Sequence, residues 1–150
     1  MTIIPEGDRD ELRRSLRREL KKDVTLRLFT QRSSLLAIPG RECRSCPQTQ
    51  ELLEEFTSLS SKLHLDIYDF YSQTEERDRY GVERVPAIVL GTDGDARMKY
   101  YGSPLGYEFV TILEDVKLLS RGVSPLGLQS RKSLRRVNQP VHIQVFVTPT

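Results

Sequence analysis

Cysteine is scarce here: two residues in 150, at positions 43 and 46, far below the density of a disulfide-built secreted scaffold. If the pair matters, it matters through its chemistry. Apolar runs are short as well: none approaches the ~18 residues of a membrane span. The opening Met1-Thr2-Ile3-Ile4-Pro5-Glu6-Gly7-Asp8 lacks the basic start and apolar stretch of a secretory signal. A cytoplasmic chain with no membrane partner is the expectation. Gly and Pro, at nine and eight, stay near ordinary usage and exclude a collagen-like or low-complexity chain. With 37% hydrophobic and 29% charged residues, 150 residues suffice for one ordinary domain that buries its core without covalent staples.

Acidic residues are missing from the last stretch. Lys and Arg outnumber Asp and Glu by six to none over Val116–Thr150 and by eleven to seven over Met1–Cys46, but are outnumbered six to fourteen over Pro47–Asp115. The blocks therefore carry +6, +4 and −8. A basic tail raises the question of nucleic acid, yet Arg121, Arg131, Lys132, Arg135 and Arg136 have no interleaved aromatics. So few charges bind polyanions weakly at physiological salt, and nucleic acid is not an expected partner.

Hydrophobic periodicity orders the rest. Leu12, Leu16 and Leu20 form a narrow helical stripe within Asp8–Lys22, and Val24–Phe29 alternates as a strand before a loop marked by Pro39-Gly40. Leu52, Leu53, Phe56, Leu59 and Leu63 predict a helix over Pro47–Lys62, and Leu65–Phe70 alternates again. A polar helix over Thr74–Tyr80 ends at Gly81. Pro86–Leu90 reads as a buried strand, Asp93-Gly94 as a hairpin turn and Ala96–Tyr101 as the returning strand. From Pro104 to Gly122 the helical period returns through Leu105, Phe109, Ile112, Leu113, Val116 and Leu119. The result is an α/β fold: an extra N-terminal helix, then βαβαββα in a four-stranded mixed sheet flanked by helices. Arg27 sits on a strand expected to be central, so it calls for an acidic partner or an exposed edge.

One repeat is visible. Val141–Val147 matches Val24–Thr30 in alternation and in its Phe, at an offset of 117, and Ser130–Asn138 before it reads as a helix. A compact unit over 8–122 followed by a linker helix and the first strand of an incomplete second unit over 123–150 is the expected organisation. Residues from about Ser124 onward should be loosely attached, held partly by their basic side chains against the acidic block.

Cys43-Arg44-Ser45-Cys46 lies where a loop enters the long helix. A helix start favours an anion, and Arg41 and Arg44 add positive charge, so the Cys43 thiol should ionise more readily than a free one. Cys46, about one turn further in, should be the more shielded. Two other readings stay open. Half a zinc site looks the same, but the further soft ligands, His64 and His142, are far apart in sequence. Two inert core cysteines would be misplaced at a polar junction between arginines.

With Cys43-Arg44-Ser45-Cys46 after the first strand and Val85-Pro86 opening the third, the chain resembles the thioredoxin superfamily, whose thioredoxin fold carries a redox pair and a cis-proline at these places. Tyr100-Tyr101-Gly102-Ser103-Pro104-Leu105-Gly106-Tyr107-Glu108-Phe109 is similar to the first unit of the glutaredoxin-like tandem protein disulfide oxidoreductases. In that family a strand like Val141–Thr150 leads into a second unit. The resemblance implies a thiol–disulfide oxidoreductase acting on protein disulfides or dithiols, with Cys43 as nucleophile and Cys46 as resolving thiol. Val85 and Pro86 would shape the substrate groove. It implies no cofactor or metal beyond the cysteines, and a thioredoxin-reductase-like flavoprotein as the kind of electron donor. The alternative is a non-catalytic scaffold that docks a second redox unit or a partner.

Overall fold

The computed structural model describes residues 2–32, 40, 42–92 and 94–147. Pro39, Arg41, Asp93 and Thr148–Thr150, singled out above, lie outside the described residues. The elements are α1 (Glu6–Glu19), β1 (Val24–Thr30), α2 (Cys46–Thr57), β2 (Leu63–Asp69), α3 (Thr74–Arg79), β3 (Ala87–Gly91), β4 (Met98–Tyr101), α4 (Glu108–Arg121) and α5 (Leu128–Leu134). The sheet runs β2-β1-β3-β4, with β1 parallel to β2, β3 antiparallel to β1 and β4 antiparallel to β3. Helix α2 supplies the crossover between the parallel pair, as such a connection requires.

The strand alternation sorts the core onto two faces. Val24, Leu26 and Leu28 of β1 pack with Leu16 and Leu20 of α1, Leu52, Leu53 and Phe56 of α2, and Ile112 and Val116 of α4. Phe29, Ala87 and Val89 face the other way, under Tyr68, Phe70, Tyr80 and Tyr101 beside the short α3. The stripe of α1 is therefore its buried face. Ser120 of α4 fixes that layer: its hydroxyl donates to Lys22 O (2.6 Å) and accepts from the Lys21 and Lys22 N–H groups.

Several boundaries differ from the periodicity for local reasons. Helix α2 stops at Thr57 rather than Lys62, because Thr57 Oγ1 and Ser58 Oγ donate back to the carbonyls of Leu53 and Glu55 and the chain tightens at Leu59, whose N–H reaches Phe56 O. Leu59 and Leu63 remain buried without helix around them. Helix α4 begins at Glu108, four residues after Pro104, because Gly106 takes a positive φ of 66° that interrupts helical backbone. Packing also begins earlier than Asp8. Ile4 is buried, and the Ile3 and Ile4 N–H groups donate to the Glu55 carboxylate at 2.8 and 2.9 Å while Arg9 pairs with it at 2.9 Å. Burial alone would raise the Glu55 pKa; these donors outweigh it and hold the carboxyl below its usual range.

Arg27 receives neither expected solution. It is 5% exposed on the central strand, and among the described residues no carboxylate pairs with it. Its guanidinium instead stands 5.1 Å from the centroid of the Tyr80 ring, with Nη1 buried and unpartnered. An aromatic face takes the place of an acid.

The tail departs from expectation in its helix bounds, in its last strand and in its ion pairs. Every described residue from 123 to 147 is exposed, α5 covers Leu128–Leu134 rather than Ser130–Asn138, and Val141–Val147 joins no ladder. Arg131, Lys132, Arg135 and Arg136 form no ion pair with the acidic block among the described residues. Among the described residues the electrostatic attachment expected from composition is thus not present within one molecule, where separated surface charges gain little.

Candidate active site

Cys43 and Cys46 are joined as a disulfide, with Cα atoms 5.4 Å apart, at the entrance to α2. Cys46 begins the helix and is 1% exposed, whereas Cys43 is half-buried outside the first turn. Cys43 is therefore the partly exposed member of the pair and Cys46 the buried one. Arg44 is exposed beside the pair, and Pro47 sits in the first helical turn, where its missing N–H costs nothing. His64 pairs with Asp23 at 2.9 Å, far from a role as a fourth soft ligand, and no metal-holding cluster occurs among the described residues.

The site is held by residues that motif reading did not single out. Gln31, just past β1, accepts the Cys43 N–H through Oε1 at 2.9 Å, across the intervening loop. Its neighbour Arg32 donates its N–H to Asp69 Oδ2 at 3.0 Å. Asp69, 8% exposed at the end of β2, also accepts the Tyr71 and Ser72 N–H groups and the Ser72 hydroxyl. Burial would raise its pKa, but these donors hold it below the ordinary carboxylate range. The end of β1 is thereby joined to Cys43 through Gln31 and to the end of β2 through Arg32.

Val85-Pro86 reaches the same end of the sheet. Phe29 of β1 is in register with Ala87, so Pro86 lies across from the β1 terminus that feeds Gln31. The Val85–Pro86 peptide is cis, with Val85 half-buried and Pro86 buried. The Pro86 carbonyl accepts the Gly102 N–H at 2.9 Å, and Gly102 holds a φ of 108° that only glycine adopts readily. The next residue, Ser103, shares a 2.8 Å hydrogen bond with the buried Thr49 hydroxyl, which also donates to Ser45 O at 2.7 Å. A chain of polar contacts thus runs from the proline through Gly102-Ser103 and Thr49 to the segment between the cysteines. The one sequence signal for it was the Gly-Ser-Pro run, whose partner on α2 lies 54 residues away.

What the arrangement offers is a half-buried cysteine disulfide-bonded to a buried one, with Gln31 and the Thr49–Ser103 pair holding the backbone on either side. The Thioredoxin domain family model matches residues 36–114, just over half of the chain. Among solved structures, the AhpF component of alkylhydroperoxide reductase from Enterococcus faecalis superposes with a TM-score of 0.73 at 26% identity, over 88% of this chain and 60% of that one. A protein disulfide oxidoreductase from Aeropyrum pernix superposes at 0.72 with 25% identity, over 89% of this chain and 55% of that one. This chain therefore spans little more than half the length of either. A thioredoxin from Halobacterium salinarum, at 22% identity and a TM-score of 0.51, shares the fold. No curated protein matches the chain. The cysteine pair, its position at the start of α2, the sheet order and the family match agree: the chain belongs to the thioredoxin-domain family.

Proposed function

We propose that this protein is a thiol–disulfide oxidoreductase acting on protein disulfides or dithiols through Cys43 and Cys46. The observation that carries the reading is the asymmetry of the pair: Cys43 half-buried at the mouth of α2, Cys46 1% exposed behind it. In the reducing direction the Cys43 thiolate attacks one sulfur of a substrate disulfide, and the other substrate sulfur leaves as a thiolate and takes a proton. Cys46 then attacks the Cys43 sulfur of the mixed disulfide, releasing the second substrate thiol and leaving the Cys43–Cys46 disulfide seen here. Two electrons and two protons pass to the substrate. Reversal of the same steps oxidises a dithiol.

Val85 and Pro86 would meet the substrate chain, with the Val85 backbone groups offering strand-like hydrogen bonds next to the sulfurs. Arg44 would add positive charge at the reacting thiolate. The similarity to a reductase component and to a disulfide oxidoreductase supports a redox partner in general. A flavoprotein of the thioredoxin-reductase type is the donor this reading favours, in the cytoplasm. Among the described residues no helix is long and apolar enough to cross a membrane.

The test is reduction of insulin disulfides with a small dithiol as donor. Catalysis above the dithiol alone that disappears in Cys43→Ser is expected. A wild-type rate equal to the dithiol alone would favour the non-catalytic scaffold.

A further inference from the structure

Strand β2 is one edge of the sheet, and its outer side meets no strand among the described residues. Its free hydrogen-bonding groups follow from its inner pairing. Val24 N–H reaches Lys62 O and Phe70 N–H reaches Thr30 O, so the even-numbered residues of the 62–70 segment bond β1 and the odd ones point outward. Leu63 N–H is already given to Ser60 O, while Asp69 N–H goes to Gln73 Oε1 and Asp69 O accepts Gln73 N–H. What remains open is the Leu63 carbonyl with both backbone groups of Leu65 and Ile67. These five groups call for another strand.

The same molecule displays a segment of strand-like alternation that joins no sheet among the described residues. Val141, Ile143, Val145, Phe146 and Val147 are 66 to 89% exposed, in a segment that repeats the alternation of β1. On its inner side β2 takes β1 in parallel, with Val24 on Leu63, Leu26 on Leu65, Leu28 on Ile67 and Phe29 on Tyr68. Moved by the repeat offset, the same register places Val141 on Leu63, Ile143 on Leu65, Val145 on Ile67 and Phe146 on Tyr68. Leu65 and Ile67 are only partly buried and gain apolar neighbours, and Phe146 extends the stacked Phe29–Tyr68 row. Where β1 carries Arg27 opposite Asp66, the tail carries Gln144, which sets no like charge against it. The tail from residue 123 has four positive charges, Arg131, Lys132, Arg135 and Arg136, and no acid, and β2 lies in the block of net −8.

We infer that Val141–Val147 of a second copy adds to the outer edge of β2 as a parallel fifth strand, reciprocally, so that two molecules close into a dimer. The His142, Gln144 and Phe146 N–H groups then donate to the Leu63, Leu65 and Ile67 carbonyls, while the Leu65 and Ile67 N–H groups donate to the His142 and Gln144 carbonyls. Within one molecule the strand lies on neither of its own sheet edges. A reciprocal exchange of this kind uses the same surfaces on both copies and leaves neither strand over, which closed two-fold symmetry favours. It is also the cheapest way to quiet an open edge.

Engineered disulfides test the register. In a Cys43→Ser/Cys46→Ser background, Asp66→Cys with Gln144→Cys puts two cysteines directly opposite, at the ~5 Å Cα spacing a disulfide accepts. Asp66→Cys with His142→Cys, one step off on the same face, puts them ~8 Å apart, beyond closure. Mild oxidation should give a covalent dimer with the first pair only. A cross-linked monomer would show the strand on its own β2 and overturn the second-copy assignment; dimer from both pairs equally would overturn the register. The unaltered chain gives an independent readout. Sedimentation should show dimer growing with concentration, lost in Ile143→Lys, with slowed exchange of the Leu65 and Ile67 amides only where dimer is present. A monomer at every concentration, or a dimer indifferent to Ile143→Lys, would refute the inference.

Discussion

Replacing Asp69 by Ala removes a single acceptor that serves four donors: the N–H groups of Arg32, Tyr71 and Ser72 and the Ser72 hydroxyl, at 2.8 to 3.1 Å. A hydrogen bond to a charged group contributes about 1.5–3 kcal/mol net when its partner is left without a substitute. Arg32 and Ser72 are exposed, so water takes over their N–H groups and the Ser72 hydroxyl, and the lasting cost falls on the half-buried Tyr71 N–H. The expected loss is roughly 2 kcal/mol, or a fall of about 4–8 °C in Tm for a domain of this size. Asp69→Asn keeps one neutral acceptor oxygen and should lose about half as much. The pH dependence follows from the depressed pKa. A carboxyl whose pKa is lower folded than unfolded stabilises at neutral pH, and the contribution is lost as pH falls from the ordinary Asp value of about 4 through the folded one. Thermal unfolding followed by circular dichroism at pH 7 and pH 3 should therefore show a gap between wild type and Asp69→Asn that narrows in acid. A Tm for Asp69→Ala within about 2 °C of wild type at pH 7, or a gap that widens in acid, would refute the reasoning.

Other expectations are more direct. Arg27→Met keeps the volume beside Tyr80 and removes a buried charge whose Nη1 has no partner, so Tm should hold or rise, by up to about 2 kcal/mol of stability; a loss exceeding that amount would mean the cation–aromatic contact is the main term. Limited trypsin digestion of a dilute sample should cut between Arg121 and Arg136 first, in the fully exposed segment, and leave a body that still reduces disulfides. Resistance of that segment in a monomer would mean that it packs on its own body.

Much of the architecture was legible because it is local. The alternation of β1, the leucine spacing of α2 and the Cys pair at their junction each declare themselves within a few residues, and Val85-Pro86 marks the strand it precedes. What escaped was non-local and polar. Glu55 anchors Ile3 and Ile4 from about 50 residues away, Gln31 reaches Cys43 across a loop, and Thr49 meets Ser103 from another element. A polar side chain on a helix or loop looks the same in sequence whether it faces water or a distant N–H. Arg27 shows a different gap: electrostatic reasoning called for an acid or an exposed edge, while the fold supplied the face of Tyr80, which no spacing rule would have selected. The ends of α2 and α4 were displaced by hydroxyls and a glycine that compete with the helix locally, effects smaller than the hydrophobic period that suggested longer helices.

The division of labour between the two sulfurs is most directly tested by trapping. Cys46→Ser, reduced and mixed with a disulfide-containing protein, should accumulate a mixed disulfide at Cys43, visible on a non-reducing gel and located by mass spectrometry, because the shielded sulfur that would resolve it is gone. Cys43→Ser should trap nothing. A mixed disulfide in Cys43→Ser but not in Cys46→Ser would reverse the roles, and the absence of any mixed disulfide in either variant would contradict the proposed chemistry itself.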